Sequence, residues 1–359
     1  MGIYVFQLIF LFGSSAVINN SKADFRQKCK RILAINLFLL WLVCAMKAPS
    51  VGIDIDGYKR VYEASAQWEW FDFSQVYYEE GYTVLMQLFS KLGADFQLFN
   101  AFVYTVIYVP WFVFLNRYTR QPTMSLLIYI CYQFWVFNMS GLRQGMAMSI
   151  CLMAFIILEK KSLRRIILFV VVVLAASTIH QSAIIFLVAL GVYLFSVKIS
   201  TLLLFCVSYL LAIVFRSTVV SAVNSVAGKY QVSETITLGG SFVMLVGFTC
   251  FCFYIVYRVE ASRKDTHKVR LVNVNINHAA VYMMLCSIAL YLVLNGSNML
   301  RGASYASMFL TIALPNSTTA CTWKSKVYVN CAVSVFLLVL YFSDVLLANQ
   351  LNIIPYKVF

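Results

Sequence analysis

Charge is scarce in this chain. Only 12% of its 359 residues are Asp, Glu, Lys or Arg, about half the share of an ordinary soluble domain. What charge there is leans one way, with 14 acids against 28 bases. Only one long polar loop is present, which leaves no room for a sizeable soluble domain. Glycine-rich phosphate loops and a nucleophilic serine motif are absent. Ten cysteines are present, yet none lies in the one long polar loop. They sit in or beside apolar runs, so a disulfide framework is not expected. Cys250 and Cys252, two apart on an expected helix, point their thiols in nearly opposite directions.

What fills the chain instead is apolar: 62% of residues are hydrophobic and the mean hydropathy is +0.81. A bilayer core takes roughly 20 apolar residues per helix, and apolar runs follow one another from Ile3 to Ser343. The expected fold is all-α: a polytopic membrane protein with one integral domain, 1–359. Its first segment, 2–18, has no positive residue well ahead of it and no small-residue cleavage pattern behind it, so it reads as a retained span.

The net charge of +14 invites a nucleic-acid reading, but its distribution is a topology signal. About twelve helices, at 2–18, 32–47, 95–116, 123–139, 141–158, 166–180, 181–197, 199–215, 241–257, 274–294, 301–314 and 327–343, make the connectors alternate. One set carries Lys22 to Arg31, Arg117 and Arg120, Lys160 to Arg165, Lys198, Arg258 to Arg270, and Lys324 with Lys326. By the positive-inside rule that face is cytoplasmic, and both termini and most acids lie outside. The basic runs are topology anchors, and no nucleic-acid partner is expected.

The remaining ionisable residues share the outer face. Asp54 and Asp56 (VGIDIDGY) and Glu79 and Glu80 (YYEEGY) follow the second helix; Arg143 (SGLRQGMAMSI) heads the fifth; His180 (STIHQSA) sits at the turn of the sixth and seventh; Arg301 (NMLRGASY) heads the eleventh. A charge at mid-membrane costs roughly 2.5–3.5 kcal/mol on insertion scales, so each is a functional candidate. Competing readings stand beside them. The arginines snorkel to headgroups or pair with loop acids, His180 bonds within its turn, and the aspartates keep a loop solvated. Gly141 and Gly145 also have GxxxG helix-packing spacing. The outer loop 48–94 is rich in aromatics, including Tyr58, Trp70, Tyr77 and Tyr78. These read as an interfacial belt or as platforms for sugar rings. Segments 58–70 and 82–92 are too short to span and fit interfacial helices. A second outer loop is expected at 216–240.

Two arginines at one membrane level suit an anion with several oxygens, because guanidinium binds phosphate bidentately and keeps its charge. A lipid diphosphate meets that description. Beyond the cytoplasmic membrane no nucleotide supplies driving force, so a group transfer there draws it from a bond already in a membrane-bound donor. Arginines then stabilise the leaving diphosphate, and a His or carboxylate accepts the proton of an attacking hydroxyl. Of the three histidines, His267 and His278 fall on the cytoplasmic side, so no metal cluster forms with His180. Asp54 and Asp56 face one way if extended and diverge by about 200° if helical.

In order and spacing, VGIDIDGYKRVY, EEGYTVLMQLFSKLGADF, NMSGLRQGMAMSICLMA, STIHQSAIIFL and LRGASYASMFLTIALP resemble the EpsG family of Wzy-type bacterial polysaccharide polymerases, over about residues 50–315. The resemblance implies a GT-C-like helical architecture in the inner membrane, with an outward-facing site. It implies an enzyme that moves a glycan chain from undecaprenyl diphosphate onto an incoming undecaprenyl-diphosphate-linked repeat, making O-antigen, capsule or exopolysaccharide. By position it makes Arg143 and Arg301 diphosphate ligands, His180 or Asp56 the base, and Asp54 or Glu80 the group that orients acceptor hydroxyls. Gln144, Tyr82 and Tyr58 become substrate-binding residues. Neither a cofactor nor a metal is implied; a chain-length regulator is a possible partner. The family's proline after the glutamate is lacking, so Glu79 and Glu80 compete for one position. A transporter of lipid-linked sugars and a membrane acyltransferase with His180 as base are the alternatives.

Overall fold

The computed structural model describes residues 1–159, 162–194, 214–215, 217–218, 221, 239–263, 274–294 and 298–359. Among them every regular element is helical, joined only by one isolated β-bridge. The chain divides into two compact units, Met1–Ile184 with Val333–Phe359, and Ile185–Ala332.

The first unit begins with α1 (Gly2–Asn19) and α2 (Phe25–Ala45), the latter started by Asp24, whose carboxylate accepts the Gln27 N–H at 2.8 Å. This N-cap satisfies one of the orphan amides of the first turn. Two short helices follow, α3 (Ile55–Ser65) and α4 (Glu80–Lys91), close to the expected interfacial pair. They pack on each other through Ser65 Oγ and Ser90 Oγ, 2.9 Å apart, and Tyr62 stacks on Phe99 with ring centroids 4.8 Å apart. α5 (Phe96–Tyr118) is capped by Asp95, α6 (Pro122–Cys131) starts on proline, and α7 (Phe134–Asn138) is a five-residue turn. α8 (Leu142–Ile157) and α9 (Leu163–Ser177) complete the core.

α5 and α8 run parallel. Ile107 lies against Gly145, Phe114 and Tyr118 against Phe155, and Arg117 grips Glu159 through Nε and Nη2. That order places the start of α8, and so Arg143, toward the same end as the start of α5. The small residues let the helices approach, as in packed membrane helices.

In the second unit α10 (Val188–Leu194), α11 (Gly240–Arg263) and α12 (Val274–Leu294) precede a 3₁₀ turn, Asn298–Ala303. Two short helices follow, α13 (Ser304–Ser307) and α14 (Leu310–Thr318). Phe242 of α11 meets Tyr291 of α12 with centroids 4.6 Å apart, and Ser287 Oγ donates to Ala303 O at 3.0 Å. α15 (Trp323–Leu340) passes from the second unit into the first at Val333 and continues there as a π-helical turn, Tyr341–Leu347.

The protein is thus a helical membrane protein. Among the described residues, five helical stretches, at 2–19, 96–118, 242–259, 276–293 and 323–347, are long and apolar enough to cross a bilayer. Several expected spans are instead broken. The run at 123–139 is divided at Gln133, which adopts φ +69°, and 301–314 is divided into the 3₁₀ turn, α13 and α14. The expected 181–197 begins as a 3₁₀ helix. Hydrophobicity alone does not register such breaks, because each broken run stays apolar. The expected helix at 199–215 and loop at 216–240 lie mostly outside the described residues. The described cysteines are free thiols.

Candidate functional site

Arg143 occupies the first turn of α8, its side chain only 17% exposed. Such a cation is costly unless paired, and three residues of the 48–94 segment supply the pairing. Its Nη1 donates to Glu79 Oε2, its Nε donates to Tyr58 Oη at 3.3 Å, and its guanidinium lies 4.2 Å from the Tyr78 ring centroid. Burial pushes the Tyr58 phenol up while Arg143 pulls it the other way, and burial likewise raises Tyr78 to about 12. Both therefore stay neutral near pH 7 and face the cation as hydrogen-bonding and π partners.

Glu79 is the hub. Its second oxygen, Oε1, lies 3.4 Å from His180 Nδ1 and accepts the Gln181 N–H at 3.0 Å. A carboxylate only accepts, so Glu79 bonds His180 when Nδ1 carries a proton, which makes Nε2 the basic nitrogen, whereas the Ser182 N–H, 3.4 Å from the same Nδ1, donates to it when that nitrogen is bare. Ser182 Oγ stands 3.3 Å from the same Nδ1.

Local backbone chemistry explains why Glu79 and not Glu80 holds this place. Gly81 N and Tyr82 N both donate to Thr178 O, at 2.9 and 3.3 Å, docking the start of α4 on the end of α9. A Cβ on Gly81 would lie 2.3 Å from Thr178 Oγ1, so only glycine permits the approach. With Gly81 pinned, Glu79 is turned to Arg143 and His180, and Glu80 is exposed. At the other edge, the Asp54 N–H donates to Ser140 Oγ at 3.3 Å, which in turn lies 3.4 Å from Asp54 Oδ2. Ser140 stands three residues before Arg143.

The other expected residues fall as follows. Tyr82 is fully buried, with its ring 5.9 Å from Tyr58, and Gln144 is buried in the first turn of α8. Asp56 is exposed and pairs with Arg60 at 3.3 Å along α3, so it does not join the cluster. Arg301 is exposed and belongs to the second unit, on the 3₁₀ turn Asn298–Ala303. Ser140 was not singled out by sequence and Tyr78 stood only among the loop aromatics, whereas Glu79 was a candidate as the rival of Glu80. Among the described residues, no group of three or more His, Cys, Asp and Glu is placed to hold a metal.

The arrangement is a guanidinium paired with a carboxylate that also faces an imidazole. A family model described as the EpsG family matches residues 30–358. No curated protein and no solved structure matches the chain at a significant level.

Proposed function

Since the chain belongs to the EpsG family, a family of Wzy-like polymerases, we propose that it is a glycosyltransferase that polymerises polysaccharide repeats at the outer face of the bacterial inner membrane. The observation that supports this most is Glu79 joining Arg143 and His180 in one cluster. On this reading the shorter and broken helices supply the remaining passages of an about twelve-pass, GT-C-like body.

The donor is a glycan chain on undecaprenyl diphosphate. The diphosphate displaces Glu79 from Arg143, and Glu79 keeps its contact with His180. A hydroxyl of the incoming lipid-linked repeat attacks the anomeric carbon of the donor chain, its proton passes to His180 Nε2, and the bond to the diphosphate breaks. Arg143 stabilises the charge that develops on the leaving group, the kind of electrostatic assistance that is strongest when preorganised. Glu79 holds the imidazole in the productive tautomer, and Asp54 orients acceptor hydroxyls. Arg301 is a second diphosphate ligand on sequence grounds, tested on its own by Arg301→Ala.

Replacing Arg143 by Ala should leave single lipid-linked repeats in the membrane with few long chains. Long chains at wild-type abundance, from protein present at wild-type levels, would overturn the role. Supplying both lipid-linked substrates to the outer side of liposomes separates polymerisation from transport, because a transporter lengthens nothing.

A further inference from the structure

Segment 348–359, which follows the π-helical turn, lies along the loop that carries the chain from α2 to Asp54. Phe359 N donates to Met46 O at 2.9 Å, Ala48 N to Lys357 O at 2.8 Å, and Gly52 N to Asn352 O at 3.0 Å. Between the first two, Lys47 faces Val358 as an antiparallel bridge. Two tyrosines add side-chain ties: Tyr356 Oη donates to Val43 O at 2.9 Å, and Tyr4 Oη to Ile353 O at 2.5 Å. The segment is itself folded by one residue. Asn349 accepts the N–H groups of Ile353 and Ile354 on Oδ1 and donates to Ile354 O through Nδ2.

The loop's other side meets the approach to Arg143. Gly52, at φ +103°, comes so near Met139 that a Cβ would lie 2.6 Å from the Met139 carbonyl oxygen. Two residues later Asp54 is bonded to Ser140, and Asp54 O accepts the Tyr58 N–H at 3.0 Å, opening the helix whose Tyr58 touches Arg143. The loop is therefore clamped between segment 348–359 and the 139–140 turn, and both its outputs lead to the guanidinium.

We propose that segment 348–359 is a positioning strap for the candidate site: by holding loop 46–52 it sets Asp54 and Tyr58 against Ser140 and Arg143. The proposal rests on the transfer site described above. The strap's hydrogen bonds run to loop 46–52 and to α1 and α2, so it acts through the loop. Displacing a reacting group by about 1 Å costs on the order of 100-fold in rate, which is the scale on which a loosened strap acts.

The test uses the full chain in its own host, reading the length ladder of surface polysaccharide against protein abundance in the membrane. Asn349→Ala removes all three bonds and places alanine at φ +45°; long chains fall by about 10- to 100-fold at unchanged abundance. Asn349→Asp keeps the Oδ1 acceptor of the Ile353 and Ile354 N–H groups but loses the donor to Ile354 O, so its output lies between that of Asn349→Ala and the wild type. Ala48→Cys with Lys357→Cys, added to Asn349→Ala, re-fastens the strap covalently, since paired antiparallel residues lie about 5.5 Å apart, inside disulfide range. Chain length returns on oxidation and is lost again on reduction, while the wild type responds to neither, a reversal that a folding defect would not give. If Asn349→Ala does not accumulate, Tyr356→Phe, which loses only the hydroxyl bond to Val43, carries the same test with a loss of about threefold. Wild-type chain lengths in an abundant Asn349→Ala protein, or a formed disulfide without recovery, overturn the strap. Arg143→Ala is run alongside: if it too polymerises normally, the site reading has failed and the strap has not been what was measured.

Discussion

At the scale of single residues, the account turns on adjacent glutamates with different duties. Glu79→Gln keeps the shape but removes the charge that faces both Arg143 and His180, so polymer output should fall by about 100-fold or more, the weight of a general-base unit. Glu80→Gln alters an exposed side chain and should stay within about twofold. Equal losses from the two variants would contradict the assignment of Glu79 as hub. Sequence alone placed Arg143 and His180 among the candidates, because ionisable groups are rare in a chain this apolar. It left the two glutamates open because neighbours at a helix start share composition and context, and only the docking of Gly81 on Thr178 separates them. Lys47 makes a second residue-scale test. Its side chain is 1% exposed, its ammonium donates to Val51 O at 2.8 Å, and burial lowers its pKa to about 7. The unfolded chain therefore binds one more proton than the folded chain between about pH 7 and pH 10.4. Stability from this group rises with pH across that window, by at most about 1.4 kcal/mol per pH unit, and is flat below it, where both states are protonated. Thermal unfolding in detergent at pH 7 and pH 9 should show this rise, and Lys47→Met should reduce it.

At the scale of elements, the start of α4 is fixed by a contact that admits no side chain. Gly81→Ala puts a methyl group 2.3 Å from Thr178 Oγ1, and overpacking of this kind costs about 1–3 kcal/mol. The variant should unfold at lower temperature and polymerise poorly, and adding Thr178→Ala, which deletes the nearest atom, should recover part of both. No recovery would mean that Gly81 matters for another reason. Two short helices were legible in the sequence because 58–70 and 82–92 are too short to span yet amphipathic, and helices form at Ile55–Ser65 and Glu80–Lys91. The breaks at Gln133 and in 298–318 were not legible. An apolar run reads as continuous whether or not one residue takes a left-handed conformation, and Gln133 carries no glycine or proline to mark it. Asp54 and Asp56 show the same limit at shorter range. Asp54 stands at the N-cap of α3 and Asp56 inside its first turn, so the helical alternative holds and the two carboxylates diverge. Asp54 meets Ser140, and Asp56 meets only its own helix in Arg60.

At the scale of the whole molecule, the uneven spread of basic residues is the ground for the proposed orientation, and the family membership is the ground for the proposed chemistry. The orientation has its own check, in a background whose native cysteines are replaced by serine. Tyr77→Cys, at a position 89% exposed, should react with a membrane-impermeant maleimide in intact spheroplasts. Lys324→Cys should react only after permeabilisation, and the reverse pattern would invert the topology. The central claim, that Arg143 receives the diphosphate of a lipid-linked glycan beside an imidazole held by Glu79, is tested most directly in liposomes containing the purified protein and lipid-linked repeats. The product ladder of the wild type is compared with that of Arg143→Lys, which keeps the charge but loses the planar fork that binds phosphate bidentately. The wild type should build a ladder of many repeats and the lysine variant should be slowed by about 10- to 100-fold; a lysine or alanine variant that builds the same ladder at the same rate would show that Arg143 does not receive the diphosphate.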